Sequence, residues 1–452
     1  MRAAVAGVVL AVACGRGVPS NSDVAVGPSD SPPGAAPASA IVRVLVRGPG
    51  SVRAAELSLD CRQSCDATVQ PGSSLGLAAV PDPTATFQAW HGACSGASAC
   101  DLAVTRDVVV IAEFRPEDPC AGIAPSEMGA PVTAALPDPG ERRYCEGATS
   151  DGQGNVGHLV DGMGVPVWQL YASDGTATAR IPASYLVPEE TGFHGGYGSQ
   201  SPDPTMNVWN GKGTLLAAHP VGPSPSWFFP ARTGGSVVVS TDSWNCPNGP
   251  RGHATMNVWR FDETGNLVSV VDIGGVGCPV GESDGVVALS DELDNTFVAI
   301  LVDGGGGFGF PEHRVLARWI SREGAPLTPW MDVAPWAQLP QVAPIIGGGV
   351  VLRAGDSSAF FASGSSTPSP PPDFIPKYHD VSIVRGGTAY AVVPRFGWAR
   401  DHAIELYASD GTHCATLDFP ERTGLYIGAD GTVIATDPHD LCKASWWPHL
   451  LR

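Results

Sequence analysis

The chain has 452 residues and a formal net charge of -19, from 26 Lys and Arg against 45 Asp and Glu. That excess of carboxylate argues against nucleic acid as a partner, because phosphates need a basic face. With 56 Gly, 42 Pro and 43% hydrophobic residues, the composition supports a real core crossed by frequent turns, which points to an all-β fold.

Residues 1–14 have the form of an export signal. Arg2 precedes the apolar run Ala3–Ala13, which is well short of the roughly 20 residues that a membrane-spanning helix needs. The run ends in Ala11-Val12-Ala13-Cys14-Gly15, which resembles the lipobox of bacterial lipoproteins, with Ala11 where Leu is usual. The resemblance implies that Cys14 becomes the lipidated first residue of the mature protein; ordinary signal-peptidase cleavage is the alternative. Each buried acyl CH₂ contributes about 0.8 kcal/mol, so several chains on Cys14 would anchor the protein to a membrane. The expected location is therefore the outer membrane or cell surface, or the periplasmic face. Residues 15–40 are rich in Pro, Ser, Gly and Ala and have too few large apolar side chains to offset ordering entropy, so they are expected to form a disordered tether.

Setting Cys14 aside leaves ten cysteines: Cys61, Cys65, Cys94, Cys100, Cys120, Cys145, Cys246, Cys278, Cys414 and Cys442. An even set in local groups fits five disulfides in an oxidising compartment. Proximity along the chain suggests Cys120–Cys145, Cys246–Cys278 and Cys414–Cys442, with two bridges among the first four. The spacings do not match zinc sites. Asp291-Glu292-Leu293-Asp294-Asn295 lacks the Gly and distal Glu of an EF-hand loop. No metal or cofactor is expected.

Residues 41–115 have the pattern of a compact β unit. Ile41–Arg47, Ser74–Val80 and Val108–Phe114 read as strands. The succession Gly48-Pro49-Gly50-Ser51-Val52, Cys61-x₃-Cys65, Phe87-Gln88-Ala89-Trp90-His91-Gly92-Ala93-Cys94-Ser95-Gly96 with Cys100, and Val110-Ile111-Ala112-Glu113-Phe114 closely resembles the divergent B-repeat modules of internalin type. The resemblance implies a small β-rich spacer or adhesive module. Phe87 and Trp90 are expected in its core, and His91 is expected to face solvent. Residues 116–155 show little periodicity and read as a disulfide-stapled connector.

From 156 to 452 the chain reads as repeated hairpins. Thr205-Met206-Asn207-Val208-Trp209 returns unchanged at Thr255-Met256-Asn257-Val258-Trp259, and Tyr171-Ala172-Ser173-Asp174-Gly175-Thr176 returns at Tyr407-Ala408-Ser409-Asp410-Gly411-Thr412. Each copy places an aromatic shortly before a polar Gly turn. Hairpins with Gly-Gly or Asp-Gly turns alternate with them, near 234, 284, 348, 386 and 430. Two hairpins make a four-stranded unit the size of a propeller blade. Outer turns near 174, 211, 264, 323, 364 and 410 give a β-propeller of about six blades. The hairpins at 168–180 and 429–434 would complete one blade from the two ends of the region. Trp209 and Trp259 are expected to pack between blades.

The candidate chemistry is sparse. Gly281-Glu282-Ser283-Asp284-Gly285 matches a nucleophile elbow, but a strand rather than a helix follows it, so a hairpin turn is the better reading. Asp174-Gly175 lacks the Asp-box spacing. Asp303–Gly309 lacks the Lys and Ser or Thr of a phosphate loop. His194 and His253 fall on expected loops that could line a propeller face. No catalytic residue is assigned. The reading is a non-catalytic envelope lipoprotein for binding or adhesion, with an envelope polysaccharide or protein as ligand; a propeller hydrolase or lyase acting on glycans is the alternative.

Overall fold

The computed structural model describes residues 39–451, leaving out 63, 124–127, 136–146, 163–164, 197–204, 222–225, 233, 242–252, 255, 275, 278–284, 303–313, 336–339, 355–356, 376–378, 385–386, 395–402, 420–423, 429 and 438–441. Cys14, Cys145, Cys246, Cys278, the 281–284 part of the elbow-like motif and the 303–309 glycine run lie outside the described residues.

Alternation of β-branched residues builds the first unit. In the strand Ala40–Arg47, Val42, Val44 and Val46 point into a buried cluster while Arg43 and Arg47 face the other way. The strand pairs in parallel with Val108–Pro116 and antiparallel with Cys65–Val69, and Ala85–Gly92 completes the sheet. A second sheet runs Leu59–Cys61, Gly50–Ala54, Ser73–Pro81, Cys100–Val104. Leu75, Leu77, Leu102, Trp90 and Phe114 fill the space between the sheets, and Phe87 packs against them. Trp90 and Phe87 are thus core, as the sequence suggests. Gly48 (φ +86) turns the chain from one sheet to the other, and a Cβ there would meet the Phe114 carbonyl oxygen at 2.0 Å, so this turn requires glycine. The disulfides Cys61–Cys65 and Cys94–Cys100 staple the unit.

Seven four-stranded antiparallel sheets, with a two-stranded ladder of His253–Ala254 and Val276–Gly277, make up the rest of the described fold. In chain order their innermost strands are Ala148–Ser150, Tyr185–Glu189, Ser226–Pro230, Val286–Ser290, Pro340–Pro344, His379–Val384 and Gly424–Ile427. Consecutive sheets share an apolar cluster: Leu170 with Phe193 and Trp209, Met206 with Phe228 and Val238, Val239 with Val298, Trp319 with Leu352, Val351 with the partly buried Val381, Leu406 with Val433. The seventh sheet packs on the first through Ile434, Trp446, Val156 and Tyr171. This propeller-like succession buries both faces of each sheet, and the strands accordingly read as near-continuous apolar runs, such as Thr296–Val302 with every residue buried.

Sequence and structure part at the ends of the repeat region. About six repeats were expected, and seven sheets are present. Six outer turns do exist, but the seventh sheet has none. Its outermost strand is Val132–Ala135, which pairs antiparallel with Lys443–Trp447. The first sheet is complete in itself, with Ala148–Ser150 and Val156–Gly162 ahead of Val165–Tyr171 and Ala177–Pro182. The sharing between the two ends is therefore one strand with three, not hairpin with hairpin. Two strands come from the segment that sequence assigned to a connector.

The repeated pentamer occupies the third strand of the second and third sheets, Thr205–Asn210 and Met256–Phe261, but its two copies are displaced by two residues relative to the following turns, Asn210–Gly213 and Asp262–Gly265. A shift of two keeps every side chain on its own face. Met206, Met256, Val208 and Val258 are all buried. Trp209 is buried beside a bulge that its counterpart lacks at that residue, whereas Trp259 is half-buried and donates its indole N–H to the Ser240 hydroxyl.

The long-range cysteine pairing also differs from the expectation. Cys120 bonds to Cys414, 294 residues away, rather than to Cys145, and Cys414 is therefore not bonded to Cys442. Cys442 is itself disulfide-bonded. The segment after the first unit returns to the outer strand of the sixth sheet, so nearness along the chain misleads. Peptide mapping without reduction should recover a Cys120–Cys414 cross-link. Replacing both cysteines by Ser should lower the unfolding free energy by about 2–5 kcal/mol in denaturant titration.

Candidate functional site

Two places concentrate polar chemistry: the junction of the first unit with the inner turns of the sheets, and a cavity walled by the innermost strands. At the junction, Leu45 and Ile111 stand on the face of the first sheet that points away from its own core, yet both are buried, Ile111 completely. The inner turns of the propeller-like region lie over them. Glu292, on the inner turn of the fourth sheet and 2% exposed, is held by Arg47 at 3.3 Å, Arg232 at 3.1 Å and the Gly347 backbone N–H at 2.9 Å. Those three partners come from the first unit, the third sheet and the fifth. Burial pulls the Arg232 guanidinium down from its ordinary range, and Glu292 beside it pushes back up. A charge so enclosed is tolerated only because it is paired on several sides.

Around this hub, His91 Nε2 hydrogen-bonds the Glu113 carboxylate at 2.9 Å and sits beside Gly347, so it belongs to the junction rather than to open solvent. Arg115 pairs with Asp410 in the outer turn of the sixth sheet. The identical hexamers therefore differ in use: Asp174 and Asp410 both accept from the backbone N–H two residues on, at 2.9 Å, and Asp410 also receives Arg115. The Cys120–Cys414 disulfide adds a covalent tie close by. The first unit is thus seated on the inner-turn side of the sheets.

Carboxylates of the inner turns also tie neighbouring sheets. Glu189 accepts from the Gly235 N–H at 2.7 Å, Asp291 from the Gly349 N–H at 3.1 Å, and Asp430 from the Ser150 hydroxyl at 2.7 Å. Asp294, 2% exposed, joins Arg260 at 2.7 Å to Arg322 at 3.2 Å. The acidic run 291–295, examined in sequence only as a calcium loop, supplies three of these contacts. Spacing could not reveal that, because Arg260 and Gly349 lie on neighbouring sheets and Arg322 on a distant turn of the same sheet.

The cavity has a volume of about 430 Å³ and is walled by the innermost strands of six of the seven sheets. Its polar groups include Gln341, Arg353, Asp380, Ser382 and Tyr426, and its apolar ones include Phe229, Val287 and Leu425. Gln341 and Arg353 face each other across the two inner strands of the fifth sheet. Arg353 is 7% exposed; burial lowers its affinity for the proton while Asp380 on the sixth sheet raises it. Gln341 and Asp380 lie where their strands begin, with Arg353 opposite Gln341, away from the inner turns that receive the first unit, whereas Phe229 and Tyr426 stand nearer those turns.

His194 stands between a serine and a carboxylate, whereas at Asp430 the carboxylate is the centre, accepting from the Ser150 hydroxyl and lying 2.8 Å from His449 Nδ1. His194 Nδ1 lies 3.0 Å from Ser236 Oγ and 3.3 Å from Glu189 Oε1. His194 and Ser236 are 0% exposed and Glu189 is 6% exposed. No substrate can reach such a hydroxyl. The expectation that His194 lies on a loop is corrected: it is on the strand Gly192–Gly196, all of it buried, where glycines on either side had suggested a turn. His253 is likewise on a short strand, His253–Ala254. Burial pushes the Glu189 carboxyl up to about 8 and the His194 imidazole down to about 4. Near neutral pH both groups are uncharged, so their contact is not an ion pair; His194 hydrogen-bonds Ser236 and Glu189 accepts from the Gly235 N–H instead.

Removing one side of a buried ion cluster leaves the other charge unpaired, so Glu292→Ala should cost about 3–5 kcal/mol in denaturant titration. A carboxyl whose pKa is raised on folding holds its proton in the native state after the unfolded chain has lost it, so it weakens the fold as pH rises through the window from 4.5 to about 8. His194, lowered to about 4, works the other way between pH 4 and 6.5. The two oppose each other at mildly acidic pH, and Glu189 alone acts from 6.5 to about 8. Denaturation midpoints should fall over that upper window, and Glu189→Gln should flatten the fall.

Residues 61–118 match the model of the divergent InlB B-repeat domain. No curated protein matches the chain. Among solved structures, a protein of unknown function from Bacteroides caccae is 10% identical with a TM-score of 0.35, the match covering 57% of this chain and 92% of that one. An uncharacterised protein from Listeria monocytogenes is 10% identical with a TM-score of 0.35, covering 69% and 96%. A protein from Lactobacillus plantarum is 14% identical with a TM-score of 0.37, covering 61% and 85%. At these identities and TM-scores the likenesses carry no argument about activity. The chain contains a divergent B-repeat domain, and the rest of its described fold is seven four-stranded antiparallel sheets and one two-stranded ladder.

Proposed function

We propose that this is a non-catalytic binding or adhesion protein of the bacterial cell envelope. It is held to a membrane by a lipid on Cys14 and spaced from it by residues 15–40. The ligand, an envelope polysaccharide or protein, meets the propeller-like region on the side away from the B-repeat domain. The observation that carries this reading is the contrast between the two polar sites. The grouping that resembles hydrolytic machinery is sealed from solvent, whereas a cavity with few, spread polar groups is open to occupation. Sites of this kind, mostly apolar with a handful of polar groups fixing orientation, suit recognition. The disulfides and the B-repeat domain are consistent with an exported protein.

The B-repeat domain has a further part in this reading. An independent spacer would swing on its linker. Here it is seated through Arg47, Ile111, Arg115 and Cys120, so it acts as a fixed cap that leaves the other side of the sheets for ligand. Glycan hydrolysis or elimination would call for several carboxylates with His or Arg converging on an open site. Among the described residues, the cavity wall includes one carboxylate, Asp380, and one guanidinium, Arg353.

Mass spectrometry of the mature N-terminus should find a diacyl- or triacyl-modified Cys14, and Cys14→Ser should release the protein from the membrane fraction. An unmodified N-terminus beginning elsewhere would remove the anchor from the proposal. Co-sedimentation with purified envelope material should show saturable binding without release of soluble fragments; fragment release would move the reading to catalysis.

A further inference from the structure

The cavity wall narrows the class of ligand. Its polar groups include one cation, Arg353, and one carboxylate, Asp380, so the charged side chains named there balance. The chain as a whole carries -19, a field that repels anions approaching any face. A strongly anionic ligand has little to attract it, and a cationic one meets Arg353 in the wall. A neutral ligand fits both facts.

The shape of the polar groups narrows it further. Gln341 and Arg353 are planar, multidentate groups set opposite one another across two paired strands, and Asp380 is close enough to raise the affinity of Arg353 for its proton. Planar amide, guanidinium and carboxylate groups each can engage two neighbouring hydroxyls at once. Phe229 and Tyr426, both half-buried, add aromatic surface to the same wall, and Val287 and Leu425 add aliphatic surface. Vicinal hydroxyls around the rim of a ring, with C–H groups on its faces, are the complement of such a wall. The volume of about 430 Å³ is that of a small-ligand site and suits one or two sugar rings.

We propose that the cavity binds the end of a neutral glycan, one or two pyranose units deep, with Gln341, Arg353 and Asp380 reading hydroxyl pairs and Phe229 and Tyr426 covering ring faces. This rests on the binding reading above and names its ligand class. Ser382 lies on the same strand as Asp380 with one residue between them, so the two side chains share a face and can contact successive hydroxyls.

The test is calorimetric titration of the purified protein with neutral di- to hexasaccharides, with uronic-acid oligosaccharides of equal length, and with an unrelated peptide. Neutral sugars should bind saturably, and uronates at least tenfold more weakly. Asp380→Asn and Gln341→Ala should each weaken binding tenfold or more, about 1.4 kcal/mol. Both residues lie at the start of innermost strands, outside the buried clusters, so circular dichroism should show folding unchanged. Leu216→Ser, on an outer strand where Leu216 is 64% exposed, should leave binding as it is. Binding of uronates over neutral sugars would overturn the ligand class and keep the binding reading. Glycan binding that ignores both cavity variants would overturn the site. Binding of envelope material through protein alone, with no sugar bound, would overturn this inference and leave the broader reading standing.

Discussion

The arrangement depends on one buried carboxylate. Glu292 receives two guanidinium groups and a backbone N–H, each from a different part of the chain, in a place almost without solvent. Desolvating a carboxylate costs several kcal/mol, which only surrounding donors offset. The contact is therefore all or nothing. With Arg47 in place the B-repeat domain sits on the inner turns; without it, Glu292 would keep only Arg232 and the Gly347 N–H as partners. Apolar burial of Leu45 and Ile111 supplies attraction without direction, and the ion cluster supplies register.

The same device recurs between the sheets at smaller scale. Each sheet is joined to the next by apolar burial, which would tolerate sliding. Glu189, Asp291 and Asp430 fix the offset by accepting hydrogen bonds from the inner turn of a neighbouring sheet. Where a buried carboxylate makes no ion pair with a guanidinium, the cost of burial appears as a raised pKa, to about 8 for Glu189, against the pull of Arg260, and about 6 for Asp291. The Ser236-His194-Glu189 grouping belongs to this structural set. Its geometry has the appearance of catalysis, but it is enclosed by packing on every side.

Fixing one side of the sheets has a functional consequence. In the binding reading proposed above, a ligand cannot use the turns already covered by the B-repeat domain, which leaves the cavity between the innermost strands as the proposed place for recognition. Its polar groups come from the inner strands of the fifth sheet and from the sixth and seventh sheets. No single repeat contains them, which is why no motif announces them.

What sequence determined by itself was local. Alternation in Ile41–Arg47, the Gly48 turn and the glycine turns that follow aromatic residues fix strands and hairpins, because side-chain period and positive φ act over a few residues. The B-repeat pattern and the six outer turns were legible for that reason. The tertiary structure decided everything that pairs distant segments. Val132–Ala135 becomes the last strand of the seventh sheet because Lys443–Trp447 offers an edge with unpaired backbone groups. Cys120 meets Cys414 for the same reason of return. His194 is buried because neighbouring sheets cover its strand, and Glu292 is a hub because Arg47 and Arg232 arrive beside it. Period and turn chemistry say how a segment is built, while the partner of a strand edge or a buried charge is set only when the whole chain has come together.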